Sequence, residues 1–539
     1  MSCKHQKFHN IIKNLNYQPE NQKCKLLYER IKNTGILSNF VIFFIYIFNL
    51  FSFFKLTKLL QKNIFFKFLS GIIVLIFESD TSFDLLTQNQ KMNSNTKQSK
   101  LVDRIYDTII VGSGPGGSVA AKFLTEKGEN VLIIEQGYSY LDESIKHHSY
   151  IQSKLQFKNE GMSLCYGNIP MLFAEGATYG GGSEVNSGLY FKLAGPYKES
   201  ILSSCQISNK EWSEAELEIE KELKIQLQPK NKFQFSTLVK GSSVEDLICE
   251  EIPRWRTYHP IEEHQSMQKT YLAKAAKNGL ENVCGVTINK LELVNQINVL
   301  YGNKKDGKAV KFLAKKIILS AGTIGSPKIL KNSNYLTGPV NFNFHPMNRC
   351  VAEMTNEING GDLFPPYQSW TKDYNHKFGY AVSTPPYLKA TLSSVGIFNF
   401  DNLKFDKLAS FFSSTTLKNS VGRLFFINKK AFPVIYISKS DKQNINKGFE
   451  LLKTILVSGG AKNIWPKSGI SPMTSVHIFG SLPIGNNIDI GQNGELISNP
   501  NVKVCDASLL PSAPWGNPQG VIMALNLILL KRWYKIYGE

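Results

Sequence analysis

The sequence predicts an α/β protein with two folded parts, one on a parallel sheet and one an α+β part with an antiparallel sheet. Three observations predict it. A β-branched apolar run leads directly into a glycine-rich turn and an amphipathic helix. Further glycine-rich turns recur along the chain to its C-terminus. Between them lies a region with an alternating strand pattern and a long amphipathic helix. At 539 residues the chain exceeds what one hydrophobic core supports, and 42% apolar composition suffices for globular interiors.

Residues 1–100 stand apart. They hold 14 Lys/Arg against 5 Asp/Glu, nearly half of the net charge of +19. The remaining excess is dispersed, with no basic run and no nucleic-acid motif, so it reads as lysine-rich surface and no nucleic-acid partner is expected. No charge occurs from Asn33 to Phe54, and Ile36–Phe54 makes a 19-residue candidate membrane helix, weakened by Ser38, Asn39, Asn49 and Ser52. Lysines flank it on both sides and give no orientation. The long polar stretch before it argues against a signal peptide. A helix packed on the folded body is the other reading, so membrane-associated and cytoplasmic locations both stay open. Residues 87–103 read as a polar linker. Eight dispersed cysteines form no C-x-x-C pair and no metal spacing, which points to reduced, mostly buried thiols and no metal site.

Tyr106–Val111 has the pattern of a buried parallel strand and runs into Gly112-Ser113-Gly114-Pro115-Gly116-Gly117. Ser118–Lys127 has helical spacing, with Gly128 as its C-cap, and Asn130–Ile134 reads as a second strand ending at Glu135. Gly112 permits the tight turn, Gly114 the approach of backbone to a pyrophosphate, and Gly117 close helix–strand packing. The helix N-terminus offers free N–H groups to phosphate, and Glu135 can accept from ribose hydroxyls. Strand, glycines, helix, strand and acid in register indicate a dinucleotide site.

A second cluster, Gly176 to Gly188 (GATYGGGSEVNSG), places three successive glycines, Ser183 and Asn186 where backbone can approach a ligand. Here, and again at Ile317–Leu330 and at Val504–Pro518, the chain resembles the glucose-methanol-choline (GMC) oxidoreductases over about residues 104–539. That resemblance implies FAD and a Rossmann-like FAD-binding domain of the kind shared with p-hydroxybenzoate hydroxylase. It places Gly181, Ser183, Asn186, Asp506 and Ala507 around the cofactor, with Asn186 near the isoalloxazine and Asp506 at the ribityl or pyrophosphate. The position matching a histidine that some members bond to flavin is Val185, which implies non-covalent FAD.

Alcohol oxidation needs a group that takes the hydroxyl proton while hydride leaves for flavin N5, and imidazole suits that task near neutral pH. Of nine histidines, His477 lies in Ser475–Ser481, a stretch similar to the family's segment bearing the catalytic base. Asn517 follows some 40 residues later, where the resemblance implies a histidine or asparagine that stabilises the developing alkoxide. The resemblance thus implies a His–Asn pair. His345, in Phe344-His345-Pro346, resembles a family segment but reads as a structural turn. His264 and His376 read as surface or packing residues. Ile484 stands where the family commonly has methionine.

The implied FAD-binding domain is discontinuous, 101–196, 271–347 and 471–539, and the substrate domain takes 197–270 and 348–470. Phe432–Ile437 reads as a strand, Gln443–Val457 as an amphipathic helix stopped by Gly459-Gly460, and Gly520–Trp533 as a helix under the flavin. Aromatics between Phe364 and Phe425 line a pocket or pack a sheet, and a lipophilic alcohol is a weak inference from them. Oxygen, a quinone or a redox protein would each serve as electron acceptor. A flavin-dependent lyase or photoenzyme, and a catalytically silent membrane-associated subunit, are the alternatives on the same fold.

Overall fold

Strand β1 (Ile105–Val111) forms the centre of the first sheet because its apolar residues are covered on both faces: Tyr106, Ile109 and Ile110 are wholly buried. It runs parallel to β2 (Val131–Glu135), every residue of which is buried, and β2 pairs in parallel with β3 (Glu281–Cys284). An antiparallel pair, β4 (Val286–Val294) and β5 (Ile297–Lys304), leads to the long strand β6 (Ala309–Leu319). The first half of β6 pairs with β5, and its second half lies between β1 and the late strand β7 (Asn499–Val504). The parallel part therefore reads β7–β6–β1–β2–β3, with the C-terminal ends of β1, β6 and β7 side by side.

The computed structural model describes residues 104–140, 145, 150–169, 171–227, 236–257, 263–355, 367–397, 399–467 and 469–538. The candidate membrane helix 36–54, the basic N-terminal region, and His5, His9, His147, His148 and His259 lie outside the described residues. Among the described residues no helix is long and apolar enough to cross a membrane, and no cluster of His, Cys, Asp or Glu could hold a metal. The six described cysteines are free thiols, four of them buried.

Three helices begin where these strands end or shortly after. The first, α1 (Pro115–Glu126), starts three residues before the predicted Ser118. Gly114 is extended at its N-cap and Pro115 brings a helical φ to the first turn, where a missing N–H costs nothing. Helix α2 (Gly322–Asn332) follows β6, and α3 (Gln519–Tyr537) follows β7 after a 14-residue connection. The buried side of α3, which includes Leu525, Leu529, Leu530 and Trp533, packs into the main core. Each such side chain contributes roughly 1.5–3 kcal/mol on burial.

The second sheet has thirteen strands, mostly antiparallel. Its middle is Met347–Met354, paired to Leu408–Thr415 and then to His376–Tyr380 and Tyr367–Trp370. The predicted strand Phe432–Ile437 is present as Lys430–Tyr436, and the predicted helix as Lys439–Ser458, capped by Ser438, which accepts from the Asp441 N–H. That helix lays Phe449, Leu452, Ile455 and Leu456 on Cys350, Ala352, Phe378 and Phe411 of the sheet. Short strands at Ser163–Gly167, Met171–Phe173, Val340–Phe344 and Ile478–Phe479 also join it. The antiparallel sheet thus reaches into segments that the resemblance assigns to the FAD domain.

Candidate active site

The glycine turn after β1 is closed on one side and open on the other. Gly112 has φ +99°, and a Cβ there would meet the Ser320 carbonyl at 2.2 Å. A Cβ on Gly116 would lie 1.8 Å from the Cys505 carbonyl, and one on Gly117 would lie 2.1 Å from the carbonyl of Gly112. These glycines let the turns after β1, β6 and β7 touch. Gly114, Gly182 and Gly322, by contrast, face space with nothing within 4 Å. Gly181 closes on the Gly114 backbone, where its Cβ would stand 2.7 Å from the Gly114 Cα. Bare backbone from three turns therefore borders one opening, at the N-terminus of α1, whose Gly114 N-cap supplies no side-chain acceptor. An extended, phosphate-bearing dinucleotide fits these residues.

Buried polar groups hold the opening in shape. Glu135 is 5% exposed and accepts from the Ser113 N–H (3.0 Å) and hydroxyl (2.7 Å) and from the Gly137 N–H (2.9 Å). Burial raises its pKa, while these donors pull it down. The Ser113 hydroxyl in turn accepts from the Gly180 N–H at 3.0 Å, so Glu135 ties both glycine turns together. The Ser183 hydroxyl accepts from the Met267 N–H, and His264, read from sequence as a surface or packing residue, meets the Ser183 carbonyl at 2.7 Å. Asn186 donates to the Gln519 side chain at 2.7 Å, linking the loop to the first residue of α3. Asp506 accepts from the Gly322 N–H, the Ser326 hydroxyl and the Ser508 N–H. Ala507 accepts from the Gly480 N–H at 2.9 Å, which anchors the segment bearing His477. The cofactor residues named from sequence lie in these turns, apart from Gly117 in the first turn of α1 and Glu135 at the end of β2.

His477 is placed by strand register. Phe344 pairs with Ile478 and Asn343 with Phe479, so antiparallel pairing brings His345 opposite His477. The His345 N–H donates to the His477 carbonyl at 3.1 Å, and the two Nδ1 atoms lie 3.3 Å apart. The rings meet edge to face with centroids 5.4 Å apart. His345 also hydrogen-bonds the Pro514 backbone. It is thus part of the site, which the reading as a structural turn missed. The signal available was Phe344-His345-Pro346 itself, but pairing with His477 required the register of two strands 132 residues apart.

His345 and Lys377 open on a cleft walled by Tyr197, Phe344, Ser414, Thr416, Trp515 and neighbouring residues. Lys377, from the strand His376–Tyr380, was not anticipated from sequence. It is 6% exposed, with Nζ 4.9 Å from the Phe191 ring centroid and 5.9 Å from that of Trp515. Burial lowers the Lys377 pKa to about 7. Burial, reinforced by the Lys377 charge, lowers His345 to about 3. His477 is held well below its ordinary value by burial, then by His345 and Lys377. Burial thus favours the neutral form of both imidazoles. Asn517 follows the cleft-lining Ala513–Gly516 and is half-buried. Among the described residues no hydrogen bond joins it to His477.

The GMC oxidoreductase N-terminal family model matches residues 106–346, and the C-terminal model matches residues 434–526. A GMC-type oxidoreductase of Sinorhizobium fredii is 23% identical over 468 residues, covering 78% of this chain and 92% of its own. A long-chain-alcohol oxidase of Arabidopsis thaliana is 23% identical over 516 residues, covering 78% of this chain and 66% of its own. Among solved structures, pyridoxine 4-oxidase from Mesorbium loti superposes with a TM-score of 0.63 at 15% identity, over 80% of this chain and 100% of that one. Formate oxidase of Aspergillus oryzae, in a study of its FAD modification, gives 0.66 at 12%, over 81% and 99%.

Proposed function

The chain belongs to the GMC oxidoreductase family, and on that premise we propose that it oxidises the CH–OH group of an alcohol, with His477 as the base. The observation that carries this reading is the imidazole pair of His477 and His345, Nδ1 atoms 3.3 Å apart with His345 on the wall of a cleft, in a chain whose glycine turns fit a dinucleotide. FAD, when bound, supplies the two-electron acceptor that takes the substrate hydride.

The residues of the chain supply the proton chemistry. A carbonyl can only accept, so His345 donates a proton to Pro514 and presents a lone pair at its other nitrogen. With the Nδ1 atoms facing, His477 donates from Nδ1 to His345 and keeps a lone pair on Nε2. That nitrogen takes the hydroxyl proton. Asn517, in the same segment as the cleft-lining Trp515 and Gly516, donates to the substrate oxygen as negative charge develops there. Val185, in the place of a flavin-linked histidine, leaves FAD non-covalent. The kinship with long-chain-alcohol oxidases makes lipophilic alcohols the first class to try.

Anaerobic titration of the FAD-loaded protein with short, long-chain and aromatic alcohols tests this. One class bleaches the flavin band, and His477→Ala slows bleaching about 10²–10⁴-fold with FAD retained. A bound, dithionite-reducible flavin that no alcohol bleaches would sink the reading. Admitting oxygen then separates oxidase from dehydrogenase, and acid precipitation releases FAD into the supernatant if no covalent bond holds it.

A further inference from the structure

We propose that Lys377 is the oxyanion site of the cleft, a cation set to pair with a negatively charged oxygen of the substrate; this rests on the reading of the cleft as the substrate site. Among the described residues the wall carries one cation and no carboxylate: its polar members are Tyr197, Asn343, Ser414, Thr415, Thr416 and Ser420 besides His345 and Lys377. Lys377 is 6% exposed, and its Nζ has aromatic faces as neighbours and no hydrogen-bond acceptor among the described residues. A buried ammonium without an acceptor is costly, and nearly all such groups are paired. The open side of this one is the cleft, so the missing partner is what the cleft binds. The Ser414 hydroxyl on the same wall can donate to the same anion.

Two sources supply such an oxygen: the alkoxide that forms as the reacting hydroxyl loses its proton, or a carboxylate that the substrate carries elsewhere. Acetate serves as the probe. Calorimetry on the FAD-loaded protein should show saturable acetate binding, kept in Lys377→Arg and weakened about tenfold or more in Lys377→Met. Equal acetate affinity in wild type and Lys377→Met, with FAD bound in both, overturns the proposal. Heat of acetate binding does not depend on turnover, so it stands even if no alcohol is oxidised. Kinetics with 1-butanol and 4-hydroxybutanoate separate the sources. A fall in kcat shared by both substrates in Lys377→Met identifies the reacting oxygen. A rise in KM for the hydroxy acid alone identifies a carboxylate. Unchanged kinetics with both, together with unchanged acetate affinity, leaves Lys377 no role in the cleft.

Discussion

In the proposed mechanism His345 acts only through the ring beside it. Its hydrogen bond to the Pro514 backbone would fix which nitrogen faces His477, and so which nitrogen of His477 would be free to take a proton. His345→Phe keeps the bulk and removes the acceptor, and it should lower kcat about 10²-fold while leaving KM and FAD content near wild type. A purely structural role would move thermal stability and kcat together. The same ring makes stability depend on pH. Its folded pKa of about 3 lies below the unfolded value of about 6.5, so the unfolded chain binds a proton that the folded protein refuses. The stabilisation is complete above pH ~6.5 and falls as pH drops toward 3. Lys377 shows the same sign in a higher window, since its folded pKa of about 7 lies below the unfolded ~10.4. Replacing this buried cation by methionine should raise the melting temperature by a few degrees at pH 7. The gap should narrow as the pH rises from ~7 and close above ~10.4, where wild-type Lys377 is neutral in both states. A lower melting point for Lys377→Met at pH 7 would contradict the absence of a buried partner.

At the scale of elements, the glycine turns divide into those that let strands' ends meet and those that leave room. Gly116 belongs to the first kind, since a methyl there would overlap the Cys505 carbonyl between α1 and the turn after β7. Gly116→Ala should therefore lower both melting temperature and FAD affinity. Gly114 belongs to the second, and Gly114→Ala should weaken FAD about tenfold with the apoprotein's melting temperature unchanged. Flavin fluorescence titration and calorimetric melts distinguish the two. This division also marks what could be read from the sequence. The strand, glycines, helix and Glu135 were legible because they lie within 30 residues and each has a local chemical reason. Helix α1 began early only because Pro115 reads as punctuation unless Gly114 is known to be extended. The ribose role expected of Glu135 now shares its carboxylate with Ser113 and Gly137, contacts set by backbone geometry that no spacing reveals. Glu135→Ala should thus loosen the Gly180 turn as well as the ribose side, and its FAD affinity should fall more than that of Glu135→Gln. His345 and Lys377 were illegible for a further reason: each is brought to the cleft by pairing between strands far apart in sequence, which carries no local pattern.

For the whole molecule, the site exists only where the two sheets meet. The parallel sheet provides the turns after β1, β6 and β7. The antiparallel sheet provides Lys377, and its short outer strands bring His345 and His477 together. Trp515 fastens the two at the connection into α3. It stacks on Tyr197 at 5.8 Å, meets Tyr374 and Trp370 edge-on, and lies under the Lys377 ammonium. It is 7% exposed, so truncation leaves a cavity there and removes aromatic packing against Tyr197, Trp370 and Tyr374. Trp515→Ala should cost about 3–5 kcal/mol of stability, in the range for buried large-to-small changes. The more telling result is how that loss is distributed. If Trp515 joins the sheets into one cooperative unit, wild type melts in a single transition, and the variant separates into two, of which only one moves with FAD concentration. FAD at 100 times its Kd should raise that transition's stability by about 2.7 kcal/mol. A variant that still melts in one step, merely lower, would show that the cores of the sheets hold together without Trp515, and that its place is the wall of the cleft.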